Sequence, residues 1–261
     1  MTRLEQIRFL NRRLLDEMPE YREQARAFPP DEAEQRRLLC CLMNVRPPLP
    51  LDAEFLRVQD ELLSAEAEEK GIVDALALPD MPGHRGVAVW QGDITRLRAG
   101  AIVNAANSAL LGCFHPCHGC IDNAIHSAAG LQLRDECARI MRAQGAPEPA
   151  GRAKLTAGYN LPARHVLHTV GPIISGGVTD GDRRALRSCY RSCLSLAAER
   201  GIDSVAFCCI STGEFHFPNR GAAEIAVDEV LGFLGENPGI KKVIFNVFKD
   251  IDRVIYGSLL G

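Results

Sequence analysis

From residue 87 onward, short apolar runs rich in β-branched residues alternate with segments of helical spacing. This alternation is typical of strands joined by helical crossovers, which place helices on both faces of a mostly parallel sheet. The sequence therefore predicts a three-layer α/β/α domain with a mixed, largely parallel central sheet. The predicted strands are 87–91, 101–104, 154–159, 165–170, 204–210 and 242–247, and the predicted helices between them are 122–130, 131–143, 182–200 and 222–234.

Residues 1–80 show helical spacing and no convincing strand. Apolar residues recur every three or four positions before Pro19 and again before Pro47, and Asp52 fits the N-cap of a third helix. Two prolines and a glycine within residues 78–83 predict a linker. We therefore expect a helical N-terminal extension over 1–80 and the α/β domain over 81–261.

Composition narrows the class of protein. With 46% hydrophobic residues, 24% charged residues and a net charge of -3, the chain has the profile of a soluble globular protein. The mild acidity argues against a broad nucleic-acid surface. No apolar run has the length of a membrane span, and the first residues lack the apolar core of a secretion signal. We expect a cytoplasmic protein that binds neither nucleic acid nor membrane.

The ten cysteines do not predict a disulfide framework, because a reducing compartment disfavours one. Core packing is the interpretation of Cys40, Cys41, Cys189, Cys193, Cys208 and Cys209, which lie in apolar or helical patterns.

The segment 112–120 is different, because three cysteines and two histidines fall within its last eight residues. Zinc prefers thiolate and imidazole ligands, and no second ligand pair is evident elsewhere. The segment therefore predicts a three-ligand zinc site with an open position. Redox chemistry between Cys117 and Cys120, which have C-x-x-C spacing, is the alternative.

Unusual polar or aromatic residues follow four of the predicted strands. They are Gly92 to Thr95, Asn104 to Asn107, Ser211 to Phe215, and Phe248. Ligands of open α/β sheets bind beyond the carboxyl ends of the strands, so the four segments predict one crevice.

Each segment has two interpretations. Asp93 accepts a hydrogen bond from the amine of a base or caps a turn. Asn107 holds a ribose hydroxyl or satisfies turn backbone. Backbone N–H groups of Ser211, Thr212 and Gly213 wrap a diphosphate, or the glycine only makes a turn. Phe248 stacks on a base or is buried.

In their order along residues 87–256, these segments resemble the macrodomain family. The resemblance also includes the helix start at Asp122 to His126 and the run from Gly158 to Pro172. The cysteine and histidine segment stands where ordinary hydrolytic macrodomains have a glycine-rich loop, which is similar to the zinc-dependent branch. That branch also has a helical N-terminal extension.

The resemblance implies a hydrolase that uses Zn²⁺ to remove single ADP-ribose groups from an O-linked side chain of modified proteins, with ADP-ribose as product. It assigns Asp93 and the backbone of Ile94 to adenine, Asn107 to the distal ribose, and Cys113, His118 and Cys120 to zinc. Residues 211–217, including Ser211, Thr212, Gly213, Glu214 and Phe215, would embrace the diphosphate. His216 departs from the pattern, since many relatives have glycine there.

Asp122 is the candidate for orienting or activating water at the anomeric carbon, and Asn107 is expected beside it. The alternative for Asp122 is a helix N-cap. For the whole protein, a non-catalytic reader of ADP-ribosylated proteins and a hydrolase of small ADP-ribose esters are the alternatives.

Overall fold

The computed structural model describes all 261 residues and contains eight strands. The strands are β1 Val73–Asp74, β2 Val87–Gln91, β3 Leu97–Arg98, β4 Ala101–Ala105, β5 Ala153–Ala157, β6 His165–Thr169, β7 Ser204–Phe207 and β8 Lys242–Val247. Six of them form one sheet in the order β2-β8-β7-β4-β6-β5, and β1 and β3 form a separate pair. Within the large sheet only the β5–β6 pair is antiparallel, which confirms a mixed, largely parallel sheet.

Nine α-helices accompany the strands. They are α1 Arg3–Glu17, α2 Arg22–Ala25, α3 Glu32–Val45, α4 Ala53–Lys70, α5 Ile121–Ala129, α6 Leu131–Gln144, α7 Asp180–Glu199, α8 Asn219–Glu236 and α9 Asp250–Leu260. Helices α7, α8 and α9 pack side by side, and α5 packs on α6, so the helices cover the sheet as two groups. No helix combines the length and apolar character needed to cross a membrane.

Several elements depart from the sequence prediction. The short helix α2 and the strand pair of β1 and β3 were not predicted, and β1 lies in residues 1–80, where no strand was expected. Helix α9 was not predicted, although Ile255, Tyr256 and Leu260 are buried on one face of it. Strand β7 ends at Phe207 rather than at residue 210, since an apolar run does not mark where strand pairing stops.

The N-terminal helices have a hydrophobic core of their own. It contains 13 buried residues, almost all from α1, α3 and α4, whereas the core around the sheet contains 48. Leu131, at the start of α6, belongs to the smaller core. The Asp52 side chain caps α4 by accepting from the Phe55 amide at 2.9 Å, as predicted. Apolar packing therefore joins the extension to the α5–α6 region.

The segment between α4 and β2 also contacts the sheet. Ala75 is fully buried in the larger core, and the ammonium group of Lys242 in β8 binds the carbonyl of Leu78. The proline-containing stretch is therefore held against the amino end of β8.

Candidate functional site

The four segments singled out in the sequence lie at one edge of the sheet. Strands β2, β8, β7 and β4 are consecutive neighbours in the sheet, and all three pairings are parallel. Their carboxyl ends therefore point the same way, and the residues that follow them surround one crevice.

The turn after β2 is fixed by side chains at both of its ends. Asp93 Oδ1 accepts from the Thr95 amide at 3.0 Å and from Thr95 Oγ1 at 2.7 Å, which caps a short 3-10 helix. Asn246 in β8 donates to the Gly92 carbonyl at 2.9 Å. Asp93 is therefore a cap, as one interpretation predicted, while its second carboxylate oxygen has no protein partner.

Phe248 follows β8 with 77% of its surface exposed. The expectation of a buried aromatic residue is wrong here, because the chain leaves the sheet at Val247 and turns into α9. An open aromatic face at the carboxyl edge of a sheet offers a stacking surface for a planar ligand.

The segment after β7, residues 211–217, is called here the donor loop. The Phe217 amide donates to the Ser211 carbonyl at 2.9 Å, which closes the loop. The amides of Gly213, Glu214 and Phe215 have no acceptor in the protein. Three successive free N–H groups make an anion-binding concavity suited to a diphosphate.

Two residues of the donor loop adopt left-handed backbone conformations, Ser211 with a φ of 65° and His216 with a φ of 57°. This conformation favours glycine, which gives a physical reason for glycine at the His216 position in the family pattern. Gly171 allows the Ser211 turn, because a Cβ at Gly171 would lie 2.0 Å from Ser211 Oγ.

Asp122 lies in the first turn of α5 and is only 5% exposed. Its Oδ1 accepts from Asn104 Nδ2 at 2.8 Å, and its Oδ2 lies 3.4 Å from Asn107 Nδ2. Burial raises the pKa of this carboxyl to about 6, against the opposing effect of the Asn104 hydrogen bond. The N-cap is Cys120, whose sulfur accepts from the Asn123 amide at 3.4 Å, so the N-cap interpretation of Asp122 is wrong.

Asn107 joins the end of β4 to this carboxylate. It donates to the Gly112 carbonyl at 3.0 Å and accepts from the Ala109 amide at 2.9 Å. The turn interpretation of Asn107 is therefore confirmed, and the same side chain places its amide beside Asp122.

A buried polar network lies behind Asp122. His168 in β6 contacts Asn104 Nδ2 through Nδ1 at 3.3 Å and Thr156 Oγ1 through Nε2 at 3.0 Å. His126 Nε2 lies 3.5 Å from Asp122 Oδ1. Burial lowers the pKa of His168 to about 4 and lowers the pKa of His126 well below its ordinary value. Both imidazoles are therefore neutral at pH 7, and His168 fixes the orientation of the Asn104 amide.

His168 is predicted to contribute stability that is lost in mild acid, against the opposite contribution of Asp122, whose raised pKa lets the folded protein bind an extra proton below about pH 6. The ordinary pKa of 6.5 for His168 lies above its folded value of about 4, so the unfolded chain binds more protons between these values. The stability is present above pH 6.5 and is lost as the pH falls, by up to about 1.4 kcal/mol per pH unit. Denaturant unfolding at pH 7 and pH 5 measures this slope.

A shallower slope is expected for His168→Gln. His165→Gln is the matched control, because His165 is partly exposed on the same strand and outside the network. Equal slopes for wild type and His168→Gln would contradict the assignment.

Residues 112–120, called here the metal loop, bring three candidate metal ligands together. The sulfur atoms of Cys113 and Cys120 and an imidazole nitrogen of His118 all lie within 4.8 Å of one another. The distance from Cys113 Sγ to His118 Nδ1 is 3.7 Å. Two thiols and one imidazole match the donor set that zinc prefers, and a tetrahedral ion bound by three protein ligands keeps one open position.

Neighbouring groups hold the metal loop in this shape. Asn123 Nδ2 donates to the carbonyls of His115 at 2.9 Å and His118 at 3.2 Å. The other ring nitrogen of His118, Nε2, lies 3.5 Å from Glu214 Oε1 in the donor loop. The metal loop and the donor loop are therefore neighbours across the crevice.

The Cys117 thiol faces away from the ligand group, with its sulfur 3.7 Å from the Arg37 carbonyl in α3. Cys117 and Cys120 thus have different neighbours, which argues against the redox alternative.

Comparison with known proteins agrees with this geometry. A family model described as the Macro domain matches residues 103–226. The chain is 51% identical to a protein from Treponema medium named Protein-ADP-ribose hydrolase, over the full length of both. The chain belongs to the macrodomain family. This macrodomain is also 50% identical to a protein of the same name from Staphylococcus aureus (strain MSSA476), over 82% of this chain and 80% of that one.

A solved macrodomain from Trypanosoma brucei, in complex with ADP-ribose, superposes on this macrodomain with a TM-score of 0.64 and 33% identity. The match covers 87% of this chain and 95% of that one. This share of the chain is larger than the share that residues 81–261 make up, so the likeness includes part of the N-terminal helices.

Sequence reasoning missed three residues that organise the site of this macrodomain. Asn104 binds Asp122, Asn123 supports the metal loop, and buried Arg134 in α6 donates to the Leu111 carbonyl at 2.6 Å. Asn104 and Asn123 lie inside the segments 104–107 and 122–126 of the sequence analysis, so their side-chain amides could have been recognised as candidate site groups. Arg134 has no such local signal, because its partners come from distant segments.

Proposed function

We propose that this macrodomain is a zinc-dependent protein-ADP-ribose hydrolase that removes mono-ADP-ribose from an O-linked side chain of modified proteins. The observation that carries the proposal is the position of Asp122. This buried carboxylate starts the helix that follows the metal loop, and Asn107 joins it to the same crevice. The names of the Treponema and Staphylococcus relatives support hydrolysis.

The crevice has a group for each part of ADP-ribose. The free oxygen of Asp93 accepts from the adenine amine, with the Ile94 backbone beside it, and Phe248 stacks on the ring. The donor loop, from Ser211 and Thr212 to Phe215, binds the diphosphate through its free amides. Asn107 contacts the distal ribose, which brings the anomeric carbon to Asp122.

Cys113, His118 and Cys120 would hold the zinc ion. When bound there, zinc supplies Lewis-acid stabilisation to an oxygen ligand and orients the sugar. Glu214 lies beside the exposed nitrogen of His118 and fixes the ring that offers its other nitrogen to the metal.

Asp122 orients a water molecule toward the anomeric carbon and accepts one of its protons. A bond forms between that carbon and the water oxygen, while the bond to the side-chain oxygen breaks. The side chain leaves with the bonding electrons and is protonated from solvent, which yields ADP-ribose and the unmodified protein. The amide groups of Asn104 and Asn107 hold the carboxylate in place.

Phe248→Ala is expected to weaken ADP-ribose binding. Loss of one base–aromatic stack costs about 1–3 kcal/mol, which corresponds to roughly a 5- to 160-fold rise in Kd. Isothermal titration with ADP-ribose measures the change. Leu76→Ala removes a comparably exposed apolar side chain far from the crevice and should leave the Kd unchanged. An unchanged Kd for Phe248→Ala would exclude stacking.

A linkage panel tests the substrate class. Proteins that carry mono-ADP-ribose on carboxylate, hydroxyl or nitrogen side chains are incubated with the enzyme, alongside a small ADP-ribose ester. Release from the oxygen-linked proteins, faster than from the small ester, is the expected result. Release from the small ester alone would show that a protein is not the substrate.

A further inference from the structure

A buried asparagine of the N-terminal extension contacts the metal loop. Asn44, near the end of α3, is only 1% exposed. Its Oδ1 accepts from the Cys117 amide at 2.9 Å, and its Nδ2 donates to Ser127 Oγ in α5 at 3.0 Å. One side chain of the extension therefore ties the middle of the metal loop to the helix that carries Asp122.

The residue that Asn44 holds has an unfavourable backbone conformation. Cys117 has a φ of 52°, in the left-handed region that non-glycine residues rarely adopt. Such a conformation persists only where the surrounding structure enforces it. The groups that hold Cys117 come from α3, since its amide binds Asn44 Oδ1 and its sulfur lies 3.7 Å from the Arg37 carbonyl.

A second tie connects the same helix to the start of the metal loop. The Arg134 side chain is 2% exposed, and its guanidinium group donates to the carbonyls of Met43 and Arg46 at 2.7 and 2.5 Å. The same group binds the Leu111 carbonyl and lies 4.7 Å from the centre of the Phe114 ring. The carboxyl end of α3 and the first residues of the metal loop thus share one buried cation.

We propose that α3 positions the metal loop, with Asn44 as the positioning residue. By fixing the Cys117 backbone, Asn44 sets the place of the adjacent ligand His118 relative to Cys113 and Cys120. The extension is thereby part of the catalytic unit rather than a separate cover. The expected effect on zinc affinity rests on the proposed function, whereas the expected effect on the conformation of the metal loop does not.

Three variants test the proposal in the full-length protein. Asn44→Ala removes both hydrogen bonds, and Asn44→Asp keeps an acceptor for the Cys117 amide. Asn11→Ala is the matched control, because Asn11 is also a buried asparagine of the extension, and it binds Gln35 within the extension instead. Hydrogen–deuterium exchange of residues 111–120 is measured with a chelator and with added Zn²⁺. Competition with a chromogenic chelator gives the zinc affinity, and titration gives the Kd for ADP-ribose.

Faster exchange of the metal loop in Asn44→Ala, with and without zinc, is the expected result. Zinc affinity and kcat should fall about tenfold, as is typical when support around a metal ligand is lost. The Kd for ADP-ribose should stay unchanged, because α3 does not contribute to the donor loop or to the turn at Asp93. Asn44→Asp should restore part of the loop protection, and Asn11→Ala should leave the loop as in wild type.

Wild-type exchange in Asn44→Ala would overturn the proposal, as would an equal effect from Asn11→Ala. If wild type bound no zinc and released no ADP-ribose, the proposed function would fail, but the exchange measured with chelator would still decide the role of Asn44.

Discussion

Replacing Asp122 with alanine is expected to slow ADP-ribose release by about 10²- to 10⁴-fold, the usual contribution of a positioned general acid or base. Binding of ADP-ribose should change little, because the adenine and diphosphate contacts come from other segments. Asp122 instead lies at the head of α5 and receives the side-chain amides of Asn104 and Asn107. A loss confined to kcat is the mark of an interaction that acts in the transition state.

Single-turnover kinetics and ADP-ribose titration separate these two effects. Asp122→Asn keeps the shape of the side chain and an acceptor for Asn104, so a similar loss in this variant would assign the effect to the carboxylate. Asp252→Asn is the control for removing a buried carboxylate, since Asp252 is 4% exposed and accepts from Asn219. Hydrolysis at the wild-type rate by Asp122→Ala would contradict the proposed role.

Loss of one metal ligand should be the other large effect. Cys113→Ala leaves only His118 and Cys120 from the ligand group, and we expect zinc affinity to fall by more than about 100-fold, beyond the usual effect of losing a supporting residue. Release of ADP-ribose should fall with it, while the donor loop and Phe248 continue to bind ADP-ribose. Cys113 is preferred to Cys120 for this test, because Cys120 also caps α5.

Metal content after dialysis, measured by mass spectrometry, reports the result directly. Cys117→Ala is the matched control, because this cysteine shares the loop while its thiol faces α3. Stoichiometric zinc in Cys113→Ala would remove this residue from the ligand set. Equal zinc loss in Cys117→Ala would point to loop folding rather than ligation.

Local sequence patterns predicted most of the fold of the α/β domain. Six strands and the helices between them follow from the periodicity of apolar residues, and parallel order then brings four strand ends together. The same local patterns left Asp93 and Phe248 with two interpretations each. The structure shows that Asp93 is a cap with one free oxygen. It also shows that Phe248 is open to solvent, and the sequence could not decide this because the exposure of Phe248 depends on where the chain leaves the sheet.

The contacts that support the site could not be found in this way. Asn44 and Cys117 are 73 residues apart, and Arg134 is 91 residues from Met43. Hydrogen bonds over such separations leave no periodic signal, and a buried polar side chain in a helix looks like an exposed one until the helices are packed. Asn104 is closer to Asp122, only 18 residues away, yet its partner depends on how α5 lies against β4.

The most direct test of the account is the time course of ADP-ribose release from a protein that carries mono-ADP-ribose on an oxygen-linked side chain. Zinc-loaded wild-type protein should release free ADP-ribose with multiple turnovers, and treatment with a chelator should slow the release. Tight binding of ADP-ribose without any release from the modified protein, with or without zinc, would contradict the account and identify the macrodomain as a reader.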